Sequence, residues 1–230
     1  MSKKLYIIHG WTYSIEPWTA TISILRSKGY EVEQLRVPGL TSESDEVWDV
    51  DKYVAWLRDE LAGVEQPIVL GHSNGGRISL NYLKKYPDSF QKLILLSAAG
   101  INVSDQKISV KRWLFRTAAT VLRPLKYIPL VRKVVYRVIG GSDYDRAPAN
   151  MKKTLHNVLE SDKYLDISDI TVPTAILWGK ADPVTVLAQG RKMANELPNA
   201  TIREFDSWAH APYITHPNEL AQAIIEELER

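Results

Sequence analysis

Apolar positions along this chain follow two rhythms. Short continuous runs at 5–8, 68–70, 93–96 and 174–178 suit strands buried on both faces. Residues 30–37 alternate and read as another strand, and residues 201–205 read as the last. Between these runs apolar residues recur every three or four positions, the spacing of a helix with one buried face. Trp18, Ile22 and Leu25 mark the first helix, opened by Pro17 and closed by Gly29. Val50, Tyr53, Val54, Leu57 and Leu61 mark the second. A third runs from about Asn74 to Tyr86 and stops before Pro87. Further helices cover 184–197 and the stretch from Pro217, where Leu220, Ile224, Ile225 and Leu228 face inward. Such alternation predicts an α/β protein with a mainly parallel sheet of about six strands and helices on both faces.

The rhythm fails between 101 and 162. No buried strand shows there, and the segment reads as helices. Trp113, Leu114, Thr117, Ala118, Val121 and Leu122 form one apolar face. A second helix starts near Pro124 or Pro129 and ends at Gly140-Gly141; a third covers about 148–159. The expected organisation is a core of 1–100 and 161–230 with a helical cap inserted at 101–160.

Composition narrows the chemistry more than the fold. The 230 residues are 45% hydrophobic and 24% charged, enough for one substantial core. A net charge of +2 makes no global case for nucleic-acid binding. The absence of cysteine excludes disulfides, thiol nucleophiles and thiolate metal sites. No run approaches the roughly 20 apolar residues of a membrane span, and the apolar run after Met-Ser-Lys-Lys is too short for a signal peptide, so a cytoplasmic location is expected. Five scattered histidines carry no metal signature, and no cofactor is expected. Seven tryptophans and eleven tyrosines suit an apolar pocket. Charge is uneven: 101–153 holds 12 Lys or Arg against 3 Asp or Glu. That basic segment is either a solvated face or a surface for an anionic partner.

Chemistry concentrates where strands end. The run at 68–70 breaks into Gly71-His72-Ser73-Asn74-Gly75-Gly76, a G-x-S-x-G turn between strand and helix. A serine there is strained, and close backbone approach explains the glycines. His9-Gly10-Trp11 follows the first strand. Trp178-Gly179-Lys180-Ala181-Asp182-Pro183-Val184 closes the next-to-last, and Trp208-Ala209-His210-Ala211-Pro212 follows the last. All of these loops open on one edge of a parallel sheet, where ligands bind.

With these four motifs the chain resembles the α/β-hydrolase superfamily over nearly its whole length. The histidine loop is similar to that of esterases cleaving pimeloyl-acyl-carrier-protein methyl ester, and also to that of carbon–carbon bond hydrolases. The resemblance implies a helical cap where 101–162 lies. It implies a nucleophile elbow at Ser73 and a triad in the order Ser73, Asp182, His210. His210 would take the serine proton, and Asp182 would fix its tautomer. The oxyanion hole would be the backbone N–H groups of Trp11 and Asn74. One departure stands out: the family's antiparallel opening hairpin is missing ahead of the His9 strand.

Other readings of these residues stand beside these. Ser73 can be a turn serine, and Asp182 a cap before Pro183. Asp206 and Asp169 are rival acids. His216, before Pro217, reads as a helix cap. His9 reads as support for the oxyanion loop, His72 as packing beneath the elbow and His156 as cap surface or pocket rim. The expected activity is a serine carboxylesterase acting on a small-molecule ester or thioester, with an apolar acyl pocket under the cap and an acidic acyl-carrier partner as the sharper option. A carbon–carbon hydrolase or perhydrolase uses the same triad, and a ligand-binding protein can retain the fold.

Overall fold

Every continuous apolar run is a strand. In the computed structural model, which describes residues 4–102 and 147–230, six strands form one sheet. They are β1 (Lys4–Ile8), β2 (Glu31–Gln34), β3 (Ile68–His72), β4 (Lys92–Leu96), β5 (Thr174–Gly179) and β6 (Ala200–Phe205). Their order is β2-β1-β3-β4-β5-β6, and each neighbouring pair is parallel. β3, β4 and β5 are buried on both faces, so they read as apolar runs without alternation. β2 is an edge strand and alternates. It ends before the expected 37 because β1, its only ladder partner, ends at Ile8. The Val37 carbonyl instead closes a turn, accepting from Leu40, Thr41 and Ser42.

Seven α-helices are described, the first preceded by a 3-10 turn at Glu16–Trp18. They are α1 (Thr19–Ser27), α2 (Val50–Glu60), α3 (Asn74–Lys85), α4 (Ala149–Ser161), α5 (Leu187–Glu196), α6 (Pro212–Thr215) and α7 (Pro217–Glu229). Asp49 caps α2 by accepting from the Lys52 N–H at 2.9 Å. α1 and α7 pack together over one face of the sheet, where Leu25, Leu220 and Ile224 bury against Leu5, Ile7, Leu70 and Ile94. α2 and α3 pack together as a second pair. Burying such a side chain contributes roughly 1.5–3 kcal/mol relative to exposure.

The chain divides into two units, Met1–Asn102 with Pro148–Arg230, and Val103–Ala147. The first two helices expected in the insertion, including the face from Trp113 to Leu122, lie outside the described residues. The third is α4, and it packs within the first unit. Its Thr154 hydroxyl accepts from the Trp48 N–H at 2.9 Å, and Asn150 and Asn157 donate to carbonyls of the 44–48 loop. Among the described residues no helix is long and apolar enough to cross a membrane.

The strand order has one reversal. β1 connects outward to β2, whereas β3 connects to β4 on the other side. The carboxyl ends of β1 and β3 therefore flank a crevice. Ser73 follows β3 and His9-Gly10-Trp11 follows β1.

Candidate functional site

Ser73 sits at the end of β3 with φ 51° and ψ −115°, a conformation that L-residues rarely adopt. Its backbone is held from several sides. The Ser73 N–H donates to Leu96 at 3.2 Å, and its carbonyl accepts from Gly76 and from Ala99. The turn is tight enough to exclude side chains nearby. A Cβ at Gly75 would collide with the Ile8 carbonyl, and one at Gly71 would lie 2.7 Å from Gly76 Cα. These contacts supply the steric reason for glycine around the serine.

The loops after β5 and β6 bring the other two residues in. His210 Nε2 lies 3.1 Å from Ser73 Oγ, so the hydroxyl can donate to it. His210 Nδ1 lies 2.9 Å from Asp182 Oδ2 and donates to it. The two loops are tied together: Lys180 N–H donates to Phe205 O at 2.8 Å, and Ala181 N–H to Trp208 O at 3.1 Å.

Asp182 is fully buried at its side chain. Burial alone would raise its pKa. The bond from His210, the charge of that ring, and donors at Val184 N–H and Thr185 outweigh this and hold it below the usual carboxylate value. Oδ1 accepts from the N–H groups of Val184 at 2.8 Å and Thr185 at 3.0 Å. The Thr185 hydroxyl stands 2.9 Å from Asp182 Oδ2, 2.9 Å from Ser97 O and 3.2 Å from His210 Nδ1. Thr185 was not singled out in the sequence. Its position three residues after an aspartate in a turn was the available signal, because such aspartates bond the backbone just ahead of them.

Of the two N–H groups selected from the sequence, that of Asn74 follows the serine directly and that of Trp11 follows Gly10, which packs against the serine. Among the described residues neither Trp11 N–H nor Asn74 N–H donates a hydrogen bond. Gly10 packs so closely that a Cβ there would lie 2.9 Å from Ser73 Cβ. His9 holds this loop, as its position suggested. Its Nδ1–H donates to Gly10 O at 2.8 Å, and its Nε2 accepts from the Thr41 hydroxyl at 2.6 Å. Burial pushes its pKa down, so the ring is neutral. In a trans peptide N–H and C=O point oppositely. Fixing the Gly10 carbonyl therefore also fixes the direction of the Trp11 N–H.

The Asn74 side chain is anchored too. Arg77 Nη1 donates to its Oδ1 at 2.5 Å, and Arg77 Nε and Nη2 grip Asp162 at 2.6 and 2.7 Å. Asp162 follows α4, so this buried pair joins the end of α4 to the first turn after Ser73.

The rival acids lie elsewhere. Asp206 is paired with Lys180 and Asp169 with Lys84, both at exposed positions. His216 does not cap α7, contrary to expectation. Its Nδ1 faces the Thr215 hydroxyl at 2.7 Å, and the helix start has no side-chain cap; Pro217 removes one of the N–H groups that would need it. His156 is exposed on α4. Among the described residues no three His, Asp or Glu side chains stand together as metal ligands.

The parallel sheet, with the loops of Ser73, Asp182 and His210 at one edge, has the α/β-hydrolase fold, and its relatives make the chain a hydrolase of that fold. The family Hydrolase_4, described as serine aminopeptidase, S33, matches residues 2–214, and the chain belongs to it. It is similar to a pimeloyl-[acyl-carrier protein] methyl ester esterase of Aromatoleum aromaticum, with 23% identity over 98% of both chains. It is also similar to human monoacylglycerol lipase ABHD6, with 23% identity over 98% of this chain and 75% of that one. Among solved structures it resembles MGS-MChE2, an alpha/beta hydrolase enzyme from the metagenome of lagoon sediments at Mar Chica, Morocco. The identity is 26%, the TM-score 0.70, and the coverage 100% of this chain and 91% of that one.

Proposed function

We propose that this protein is a serine esterase in which Ser73 is the nucleophile, His210 the base and Asp182 the acid. One observation carries the reading: His210 bridges a strained serine at 3.1 Å and a buried carboxylate at 2.9 Å. A serine hydroxyl is a weak nucleophile alone, and this arrangement removes its proton as it attacks. Ser73 Oγ bonds to the acyl carbon while His210 Nε2 takes the proton. The carbonyl oxygen becomes an oxyanion facing Trp11 N–H and Asn74 N–H. Nε2–H then protonates the departing alkoxide or thiolate, leaving an acyl-enzyme on Ser73. Water attacks that ester, giving its proton to Nε2, and the acid departs with Ser73 reprotonated. Asp182 stabilises the imidazolium in both halves. General-base help of this kind contributes roughly 10²- to 10⁴-fold, and each oxyanion donor about 10²- to 10³-fold.

An ester substrate is supported by the relatives, one named as a methyl ester esterase and one as a monoacylglycerol lipase. A fluorophosphonate probe is expected to label the wild type and leave Ser73→Ala unlabelled; stoichiometric labelling of the variant overturns the nucleophile assignment. A panel of p-nitrophenyl esters of increasing chain length, with aminoacyl p-nitroanilides beside them, tests the bond class. Steady ester turnover with a chain-length optimum is expected. Faster cleavage of the anilides places the enzyme among peptidases, and a single burst without turnover makes it a binder.

An acyl group presented on an acidic carrier protein is the finer reading. It rests on the basic segment at 101–153 and on the relative that acts on a carrier-bound ester. Reversing the charges of Arg116, Arg123 and Lys126 is expected to slow turnover of a carrier-bound ester and spare a p-nitrophenyl ester. Equal rates on the carrier-bound ester remove this reading.

A further inference from the structure

His72 is a buried titratable group that the proposed chemistry does not use. It precedes Ser73 and is 2% exposed. Its Nε2 lies 2.9 Å from the backbone carbonyl of His210. A carbonyl can only accept, so Nε2 carries the proton and Nδ1 is left as a bare lone pair. Nδ1 is buried without a partner among the described residues. The ring is wedged on its other sides. Trp18 and Tyr213 meet it edge-on at 5.9 and 5.1 Å, the His210 ring lies 4.9 Å away, and a Cβ on Gly10 would come within 2.9 Å of Nδ1. One imidazole thus touches the oxyanion loop, the nucleophile turn and the base loop.

The base loop has no other main-chain tie to the elbow among the described residues. Its backbone bonds run to the acid loop, through Phe205 and Trp208, and onward to α6. Trp208 Nε1 bonds Glu219 on α7. These hold His210 against Asp182, but none sets its distance from Ser73.

We propose that His72 is a positioning residue: donating from Nε2 to the His210 carbonyl, it sets the separation of His210 from Ser73. The assignment rests on the esterase reading above. His72 must carry its proton on Nε2 for this role, since a proton on Nδ1 alone would present a lone pair to the carbonyl, and the ring stays neutral because a second proton would sit on the buried, unpartnered Nδ1. Burial, and next the nearby His210, push its pKa down to about 3, which agrees with a permanently neutral ring.

The test uses Ser73→Ala, His72→Phe and His72→Gln in the full chain. Labelling of Ser73→Ala by the fluorophosphonate overturns the esterase reading itself. With that reading intact, His72→Phe keeps the ring contacts and loses the donor. It is expected to lose about 10- to 100-fold in kcat, with KM changed less than about threefold, because small misplacements of a reacting group cost that much. His72→Gln, whose amide can donate to the same carbonyl, is expected to recover most of the loss. Wild-type kcat in His72→Phe, or equal losses in both variants, overturns the proposal. If neither variant folds, ¹⁵N-histidine spectra of the wild type decide. A neutral Nε2–H tautomer from about pH 5 to 8 is expected, and an Nδ1–H tautomer or a titration in that window overturns the proposal.

Discussion

Asp182 and His72 are both buried and titratable, and burial ends differently for each. Burial disfavours charge in each. Asp182 escapes because His210, Val184 and Thr185 supply donors, so its carboxylate persists below the usual range. His72 has one bond, to a carbonyl that any tautomer with Nε2–H satisfies, so nothing offsets burial and it stays neutral. A pH dependence of stability follows. The unfolded chain protonates His72 near 6.5, whereas the folded protein resists until about 3. Its stabilising contribution is therefore complete above 6.5 and is lost as pH falls toward 3, at about 1.4 kcal/mol per pH unit. Urea denaturation between about pH 7.5 and 5 should show a shallower decline in His72→Gln than in the wild type; parallel slopes contradict the neutral buried ring. Asp182→Asn tests the acid separately. An amide would donate to Nδ1 and force the proton onto Nε2, where it blocks proton transfer from Ser73. On the triad reading kcat falls on the order of 10⁴-fold, and steady-state kinetics on a p-nitrophenyl ester checks it.

At the level of elements, the elbow is a contact between β3, α3 and β1. Helix α3 starts so close to β1 that Gly75 faces the Ile8 carbonyl directly. Gly75→Ala is expected to destabilise by about 3 kcal/mol or more, as overpacking against backbone does. Gly63→Ala is the matched control. Its φ is +77° but nothing lies within 4 Å of the added Cβ, so only the left-handed strain of about 1–2 kcal/mol applies. Urea midpoints of the two variants check the difference, and equal midpoints would refute the close-approach argument. Elements were legible where burial leaves a period: the strands of the sheet and the faces of α1, α2 and α7. The short helix α6 was not. Four residues hold too little of a helical period, and what places Pro212–Thr215 is Tyr213 stacking on Trp18 at 4.3 Å, a contact between distant segments.

At the scale of the whole molecule, charge is segregated. The segment 101–153 carries 12 cationic against 3 anionic residues in a chain whose net charge is only +2, so the remainder is net acidic. If carrier docking uses that segment, kcat/KM on a carrier-bound ester should fall steeply between low and physiological salt. The value on a neutral p-nitrophenyl ester should stay nearly flat, because screening acts on long-range attraction and not on a neutral substrate. Stopped-flow or steady-state rates across a salt series check this, and two parallel curves would rule out electrostatic docking.

Local composition was enough to show an α/β chain, a parallel sheet of about six strands and a serine turn flanked by glycines. Those properties depend on period, β-rich runs and steric room within a few residues, and such information is written along the chain. Distances between loops are not. That Ser73, Asp182 and His210 lie within hydrogen-bond reach depends on register, with Gly179 level with Phe205 and His72 level with Leu96. That Thr185 bonds Asp182, that Arg77 clasps Asp162, and that His72 reaches the His210 carbonyl across 138 residues also come from packing alone. Each of these bonds has a donor of common type in a common local pattern. Only the folded sheet, which sets several loops against one another at a single edge, selects which of many possible partners it meets.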